Sequence, residues 1–176
     1  EAQDLRLLHA SSNSIQGGSL RCFVGWKNSS PTVPGGTASI SALIEEEAAL
    51  GLHSEATFLR WANSIECLRV EIHALLSGLR SSGKNVAAYG APAKATTLMY
   101  HFGMTKETID YIVDDNPLKQ GLFSPGLHIP VVHPKTIYVN KPDYVLVLAW
   151  NFAESIITKH REYIAQGGRF IVPLPE

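Results

Sequence analysis

The chain has 176 residues, enough for a domain with its own core, and its 15 Lys+Arg against 16 Asp+Glu leave a formal charge of −1. So even a balance removes any global electrostatic case for nucleic acid or an anionic membrane, and any anion site has to be local. Cys22 and Cys67 are too few for a zinc site by themselves and fit reduced buried thiols at least as well as a bridge. No stretch approaches about eighteen uninterrupted apolar residues, and the start lacks a basic-then-apolar profile, so the expectation is a soluble, cytoplasmic protein.

Residues 4–8 and 19–26 read as two short strands joined by a polar turn over 11–18 that ends in Gly17 and Gly18. Between Lys27 and Thr37 lie two prolines, two glycines and two serines, the composition of a linker, which places a domain boundary near residue 30. On that reading residues 1–30 are the tail of an upstream domain with the start of a linker, and 31–176 form the domain proper. Two helices follow, at 38–50 and 55–81, with Ser54 as N-cap of the second and Gly51 and Gly83 as stops. In the second helix Phe58, Trp61, Ile65, Leu68, Ile72, Leu75 and Leu79 recur three and four apart, one apolar stripe along roughly 40 Å. Such a stripe serves either a helix packed on its own domain or a coiled-coil or interdomain strut, through which two copies could form a homodimer. Glu45, Glu46 and Glu47 suit a solvated face.

From Lys84 onward strands at 85–89, 109–114, 144–149 and 169–172 alternate with helices near 93–102 and 153–166. The strands are continuous apolar runs, as expected when both faces of a parallel sheet are covered. The fold class that follows is α/β, a small Rossmann-like, doubly wound and mainly parallel sheet preceded by two helices. Ligands of such sheets bind beyond the carboxyl ends of the strands.

The stretch over 86–95 ends a strand in Gly90 and opens a helix at Pro92, which aims unpaired N–H groups and a partial positive charge at the space above the strand. Gly90, Ala91, Pro92, Ala93 and Lys94 are therefore candidates for holding a diphosphate. A single glycine falls short of the full Gly-x-Gly-x-x-Gly fingerprint, so the pattern leaves a structural turn and a nucleotide-phosphate site both open. Asp114 closes the second apolar strand about where nucleotide-binding units place an acid on a ribose hydroxyl, and it also fits a polar turn with Asp115, Asn116 and Pro117. Asp114 and Asn116 are candidates near a nucleoside, and Asn151 is a candidate on the rim. The loop over 117–130 lacks periodicity and is either a lid or a rigid segment, with Lys119 placed to reach an anion. Seven scattered histidines give no metal-ligand spacing, and no Gly-x-Ser-x-Gly elbow or cysteine-histidine pair appears, so neither a metal nor a catalytic residue is assigned.

Tyr89-Gly-Ala-Pro-Ala-Lys94, Val113-Asp-Asp-Asn-Pro-Leu-Lys-Gln-Gly121, Pro125-Gly-Leu-His-Ile-Pro130, Asp143-Tyr-Val-Leu-Val-Leu-Ala-Trp-Asn151 and Gly167-Gly-Arg-Phe-Ile-Val-Pro173, taken together, resemble the C-terminal domain of the S-adenosylmethionine-dependent C-methyltransferases, including those acting on nucleotide-linked deoxysugars. The resemblance covers residues 38–176, and Gly17-Gly-Ser-Leu-Arg21 looks like the close of the family's central methyltransferase domain. It implies a three-part enzyme in which this chain supplies the nucleotide-sugar-binding part, next to an upstream methyltransferase domain. S-adenosylmethionine and the catalytic base would then lie outside the chain, leaving it without cofactor and inactive alone. Three rivals stay open: an NAD-binding oxidoreductase domain, a dimerisation or interaction module, and a degenerate domain that supports its neighbour without touching substrate.

Overall fold

The computed structural model describes residues 3–28 and 32–174. The chain divides into two compact units, Glu1–Ser64 and Ile65–Glu176.

In the first unit β1 (Leu5–Asn13) and β2 (Ser19–Trp26) form an antiparallel hairpin, paired from Leu5 with Trp26 to Asn13 with Ser19 around a bulge at Leu7/His9. The strand expected over 4–8 thus runs on through Ser11, Ser12 and Asn13, whose polar side chains resemble a turn in sequence but keep the ladder. The turn itself is a 3-10 segment, Ile15–Gly17. Helix α1 (Gly36–Ala49) packs on β1. There the Ser39 hydroxyl accepts the Ala10 N–H at 3.3 Å and donates to the Gly36 carbonyl at 2.8 Å. Helix α2 (Glu55–Ser81) begins in this unit and passes into the second. Its stripe divides along its length. Phe58, Trp61 and Ile65 are exposed, Trp61 by 63%, whereas Leu68, Ile72, Leu76 and Leu79 join a buried cluster, Ile72 at 6%. Leu75, on the expected stripe, is exposed and Leu76 takes the buried position.

The second unit is built on a five-stranded, all-parallel sheet: β3 (Val86–Tyr89), β4 (Ile112–Val113), β5 (Val131–Val132), β6 (Tyr144–Val147) and β7 (Arg169–Ile171), in the order β5-β4-β3-β6-β7. The chain works outward from β3 to β5, then returns to the other side of β3, so the winding reverses between β3 and β6. Alternation along β3 shows why both faces are apolar. Val86 and Ala88 join the cluster with Ile72, Leu76, Leu98 and Met99, while Ala87 and Tyr89 join the one with Ile137, Ile156 and Tyr163. Helix α3 (Ala93–His101) with the later part of α2 therefore covers one face. Helices α4 (Thr136–Asn140), α5 (Ala153–Lys159) and α6 (Arg161–Ala165) cover the other.

This is the doubly wound Rossmann-like α/β architecture expected, with three differences. A fifth strand, β5, and a short helix, α4, fill the stretch before residue 144, and the single helix expected over 153–166 breaks at His160, where φ is −111° and ψ 32°. Cys22 and Cys67 are free but exposed, so the expectation of buried thiols is corrected: each lies on the outward side of its strand or helix. No helix among the described residues is long and apolar enough to cross a membrane.

Candidate functional site at the reversal of the sheet

The turn after β3 is held by close backbone approach. Gly90 has φ +90°, its N–H donates to the Val113 carbonyl at 2.7 Å, and a Cβ there would lie 2.6 Å from the Ala149 Cβ. Only glycine combines that conformation with a neighbour so near. Pro92, extended at φ −70° and ψ 161°, caps α3 and does not occupy its first turn. At the start of α3 the Ala95 N–H donates back to the Pro92 carbonyl at 2.9 Å, so the N–H groups of Ala93 and Lys94 lead the helix at the carboxyl end of the sheet, with the positive end of its dipole. Lys94 spans the reversal: its Nζ donates to Asn151 Oδ1 at 2.6 Å and lies 4.0 Å from the centre of the Trp150 ring. Burial holds the Lys94 ammonium below its ordinary pKa.

Beside this turn a crevice of about 250 Å³ opens on the α5 face, walled by Tyr89, Gly90, Asp114, Asp115, Ala149, Phe152, Ser155, Ile156 and Lys159. Its residues come from the ends of β3, β4 and β6 and from α5, the place where open α/β sheets take ligands. Asp115 is its most exposed carboxylate. One oxygen accepts the Lys159 ammonium at 2.5 Å, the other the Tyr89 hydroxyl at 2.9 Å. Burial raises the Asp115 pKa, but Lys159 and the Tyr89 hydroxyl more than offset it, so the carboxyl sits below the ordinary range. Burial, and then the Asp115 contact, push the Tyr89 hydroxyl well above its ordinary value. Behind Tyr89 lies His160, 3% exposed, whose Nε2 is 3.1 Å from the Tyr89 hydroxyl and whose Nδ1 is 2.7 Å from that of Tyr138.

Asp114 lies under the turn. Its Oδ2 accepts the Ala91 N–H at 2.7 Å and the Lys119 ammonium at 3.2 Å, and its Oδ1 accepts the Asn116 N–H at 2.8 Å. Lys119 also donates to the Ala91 carbonyl at 2.9 Å, and Asn116 Oδ1 accepts the Leu118 N–H at 3.0 Å. The loop over 117–130 is an ordered strap. Gly121 N–H reaches the Val131 carbonyl at 2.9 Å, Val131 N–H the Leu122 carbonyl at 2.8 Å, and Ser124 N–H the Ile129 carbonyl at 2.8 Å. A buried Ser124 hydroxyl accepts the Ile129 N–H at 3.0 Å, and Gly126, at φ +72°, sits where a Cβ would meet the Tyr100 hydroxyl. Under the strap, on the α3 face, a second and mainly apolar cavity of about 220 Å³ is lined by Ala91, Pro92, Met99, Lys119 and Phe123 among others.

The residues proposed from sequence therefore gather around one turn but divide between its sides. Gly90 and Asp114 wall the crevice, Ala91, Pro92 and Lys119 line the second cavity, Ala93 and Lys94 open α3, Asn151 meets Lys94, and Asn116 shapes the loop. Sequence reasoning placed Asp115 only in the polar turn and Tyr89 only as a core or rim aromatic, and it passed over Phe152, Lys159 and His160. Asp115 was signalled by the Asp114-Asp115 pair at a strand end, but the others lie in apolar or helical runs with no mark of a site.

A family model described as the C-methyltransferase C-terminal domain matches residues 14–175. C-methyltransferase NovU of Streptomyces niveus is 35% identical over 176 residues, all of this chain but 41% of that relative, so the chain spans less than half of its length. The family model takes in β2, both long helices and every strand of the parallel sheet, leaving only β1 outside it, and the chain belongs to the family of C-methyltransferase C-terminal domains.

Proposed function

We infer that this domain binds the nucleotide part of a nucleotide-linked sugar at the reversal of the sheet, as the substrate-holding part of an S-adenosylmethionine-dependent C-methyltransferase. The observation that carries this reading is the crevice between the ends of β3, β4 and β6, walled by Gly90 and Lys159, with Lys94 in the helix that opens from the same turn. In this reading the diphosphate lies over Gly90, Ala91, Pro92, Ala93 and Lys94, and the nucleoside reaches toward the Asp114–Asn116 turn with Phe152 as an apolar wall. Lys119 steadies the turn from below, and Asn151 stands on the rim.

The residues present do not fit the methyl donor. S-adenosylmethionine is a net cation, its sulfonium and ammonium outweighing one carboxylate, and the helix start with Lys94 favours a diphosphate over it. Both Asp114 oxygens already accept donors of the protein, and one glycine takes the place of the three of a dinucleotide turn. No step of methyl transfer is assigned to this chain, and we place donor and catalytic base elsewhere in the intact enzyme. The exposed Leu20, Val24, Trp26, Phe58 and Trp61 of the first unit suit contact with that remainder, or with a second copy.

The test is calorimetric titration of the full-length enzyme and of this chain with a nucleoside diphosphate sugar and, separately, with S-adenosylmethionine. Saturable sugar-nucleotide binding that Lys94→Ala weakens, with no donor heat from this chain, supports the reading. Donor binding by this chain at one micromolar-range site, abolished by Gly90→Ala, overturns it. Binding of NADH followed by nicotinamide fluorescence points instead to the oxidoreductase alternative.

A further inference from the structure

The side chains behind the crevice form a hydrogen-bonded line whose direction can be worked out from its ends. A carboxylate only accepts, so the single proton of the Tyr89 hydroxyl is the one directed at Asp115 Oδ2, 2.9 Å away. The Tyr89 oxygen must then accept from His160 Nε2 at 3.1 Å, which puts a hydrogen on that nitrogen. In a neutral ring Nδ1 is left bare and takes the Tyr138 proton at 2.7 Å. Burial keeps the ring neutral, the Lys159 ammonium adds to this, and Asp115 opposes it. The groups that bear on the line are Tyr138 from α4, Tyr89 from β3, Asp114 and Asp115 from the turn after β4, Lys159 from α5, and Glu162 from α6 acting on Tyr138.

We propose that His160 is a positioning residue for the crevice: as the neutral Nε2–H imidazole it turns the Tyr89 hydroxyl onto Asp115 and so fixes the direction in which that carboxylate meets a ligand. Tyr89 and Lys159 each occupy one lone pair of separate Asp115 oxygens, which leaves a second lone pair on each. Asp115 thereby faces the crevice as an acceptor for a hydroxyl or amino group, such as a ribose or base supplies. The ligand side of this statement rests on the nucleotide reading above. The break between α5 and α6 belongs to the same arrangement, since His160 is the residue at which the helix leaves its regular path. Protonation of the ring would give Nδ1 a hydrogen facing the Tyr138 hydroxyl and force that hydroxyl to turn its own proton away.

Two measurements need no ligand. Long-range proton–nitrogen correlation spectra of the full-length protein are expected to show a pyrrole-like Nε2 and a pyridine-like Nδ1 for His160 at neutral pH. An Nδ1–H tautomer or an imidazolium there overturns the proposal. Carbon-detected titration of the Asp115 carboxyl is expected to give a higher midpoint in Tyr89→Phe and His160→Leu than in wild type. His160→Gln, which keeps an N–H donor near Nε2, should return toward wild type. An Asp115 midpoint unmoved in Tyr89→Phe, or moved equally by Gln and Leu at 160, also overturns it. Because His160→Leu can fail to fold, Tyr89→Phe and His160→Gln carry the test alone if needed. With uridine diphosphate as probe, removing the Asp115 orientation should weaken binding by roughly fivefold to tenfold in Tyr89→Phe, the scale of one lost hydrogen bond. Wild-type protein that ignores the probe while the spectra come out as expected refutes the nucleotide reading and leaves the positioning of Asp115 standing.

Discussion

Gly90→Ala tests whether the reversal of the sheet is closed by steric fit. Two costs add. An L-residue at φ +90° leaves its favoured region, about 1–2 kcal/mol, and the new methyl sits 2.6 Å from the Ala149 Cβ where carbon atoms prefer about 3.5–4.0 Å, an overpacking cost of about 1–3 kcal/mol. The sum is about 2–5 kcal/mol, to be read as a lower urea midpoint at unchanged slope. Gly121→Ala separates the two costs: φ is +82° there with nothing within 4 Å of a Cβ, so backbone strain of about 1–2 kcal/mol should be the whole effect. Adding Ala149→Gly to Gly90→Ala removes the colliding methyl and should recover part of the loss, giving a favourable coupling energy between these neighbours. If Gly90→Ala costs no more than Gly121→Ala, or if Ala149→Gly recovers nothing, the steric argument is wrong.

Lys94→Ala should cost the fold little, since the chain keeps its turn, yet weaken nucleotide-sugar binding by about 1–3 kcal/mol, the scale of a charge-assisted hydrogen bond; equal calorimetric affinities in the full-length enzyme would remove Lys94 from the phosphate site. Amide exchange of Ser124, His128, Ile129 and Val131 should be slow without any ligand, because their N–H groups are committed within the strap and its neighbouring strand; fast exchange at these four positions would restore the picture of an open lid. Asp143 accepts the Asn85 N–H at 2.9 Å and pairs with Lys84 at 2.9 Å, first the backbone contact and then the lysine holding its carboxyl below the ordinary range. A carboxyl whose folded pKa is depressed contributes stability above its unfolded pKa, about 3.9, and loses it as pH falls through the lower folded value. Asp143→Ala should therefore lower the urea midpoint at pH 7 and converge on wild type in strong acid; a difference that persists undiminished at low pH would refute this account.

The winding of the sheet was legible because burial on both faces writes long apolar runs such as Val86 to Tyr89 and Tyr144 to Val147, and Gly90 was legible because a tight turn there excludes every other residue. What escaped notice was decided by distant partners. Val131 and Val132 make a two-residue strand between prolines, and only the register with Ile112 and Val113 identifies it. The helix break at His160 involves partners 22 and 71 residues away in sequence, which no local window contains. Reading Asp114 as a ligand contact overlooked the donors that fold around it, whereas its neighbour Asp115, with more of its carboxylate in solvent, is the better placed of the two.

Asp114 also bears on what the turn selects. Its carboxylate already accepts the Ala91 N–H and the Lys119 ammonium, two of the donors an incoming phosphate would seek, so the folded chain carries a tethered anion of its own beside the helix start. A free inorganic phosphate competes against that resident group at the high effective concentration of an intramolecular contact and has little to offer in exchange. A ligand that brings a base and a sugar along with its phosphates can leave Asp114 where it is and engage the leading N–H groups of α3 instead. On the nucleotide reading proposed above, the turn therefore favours large phosphorylated molecules over small anions.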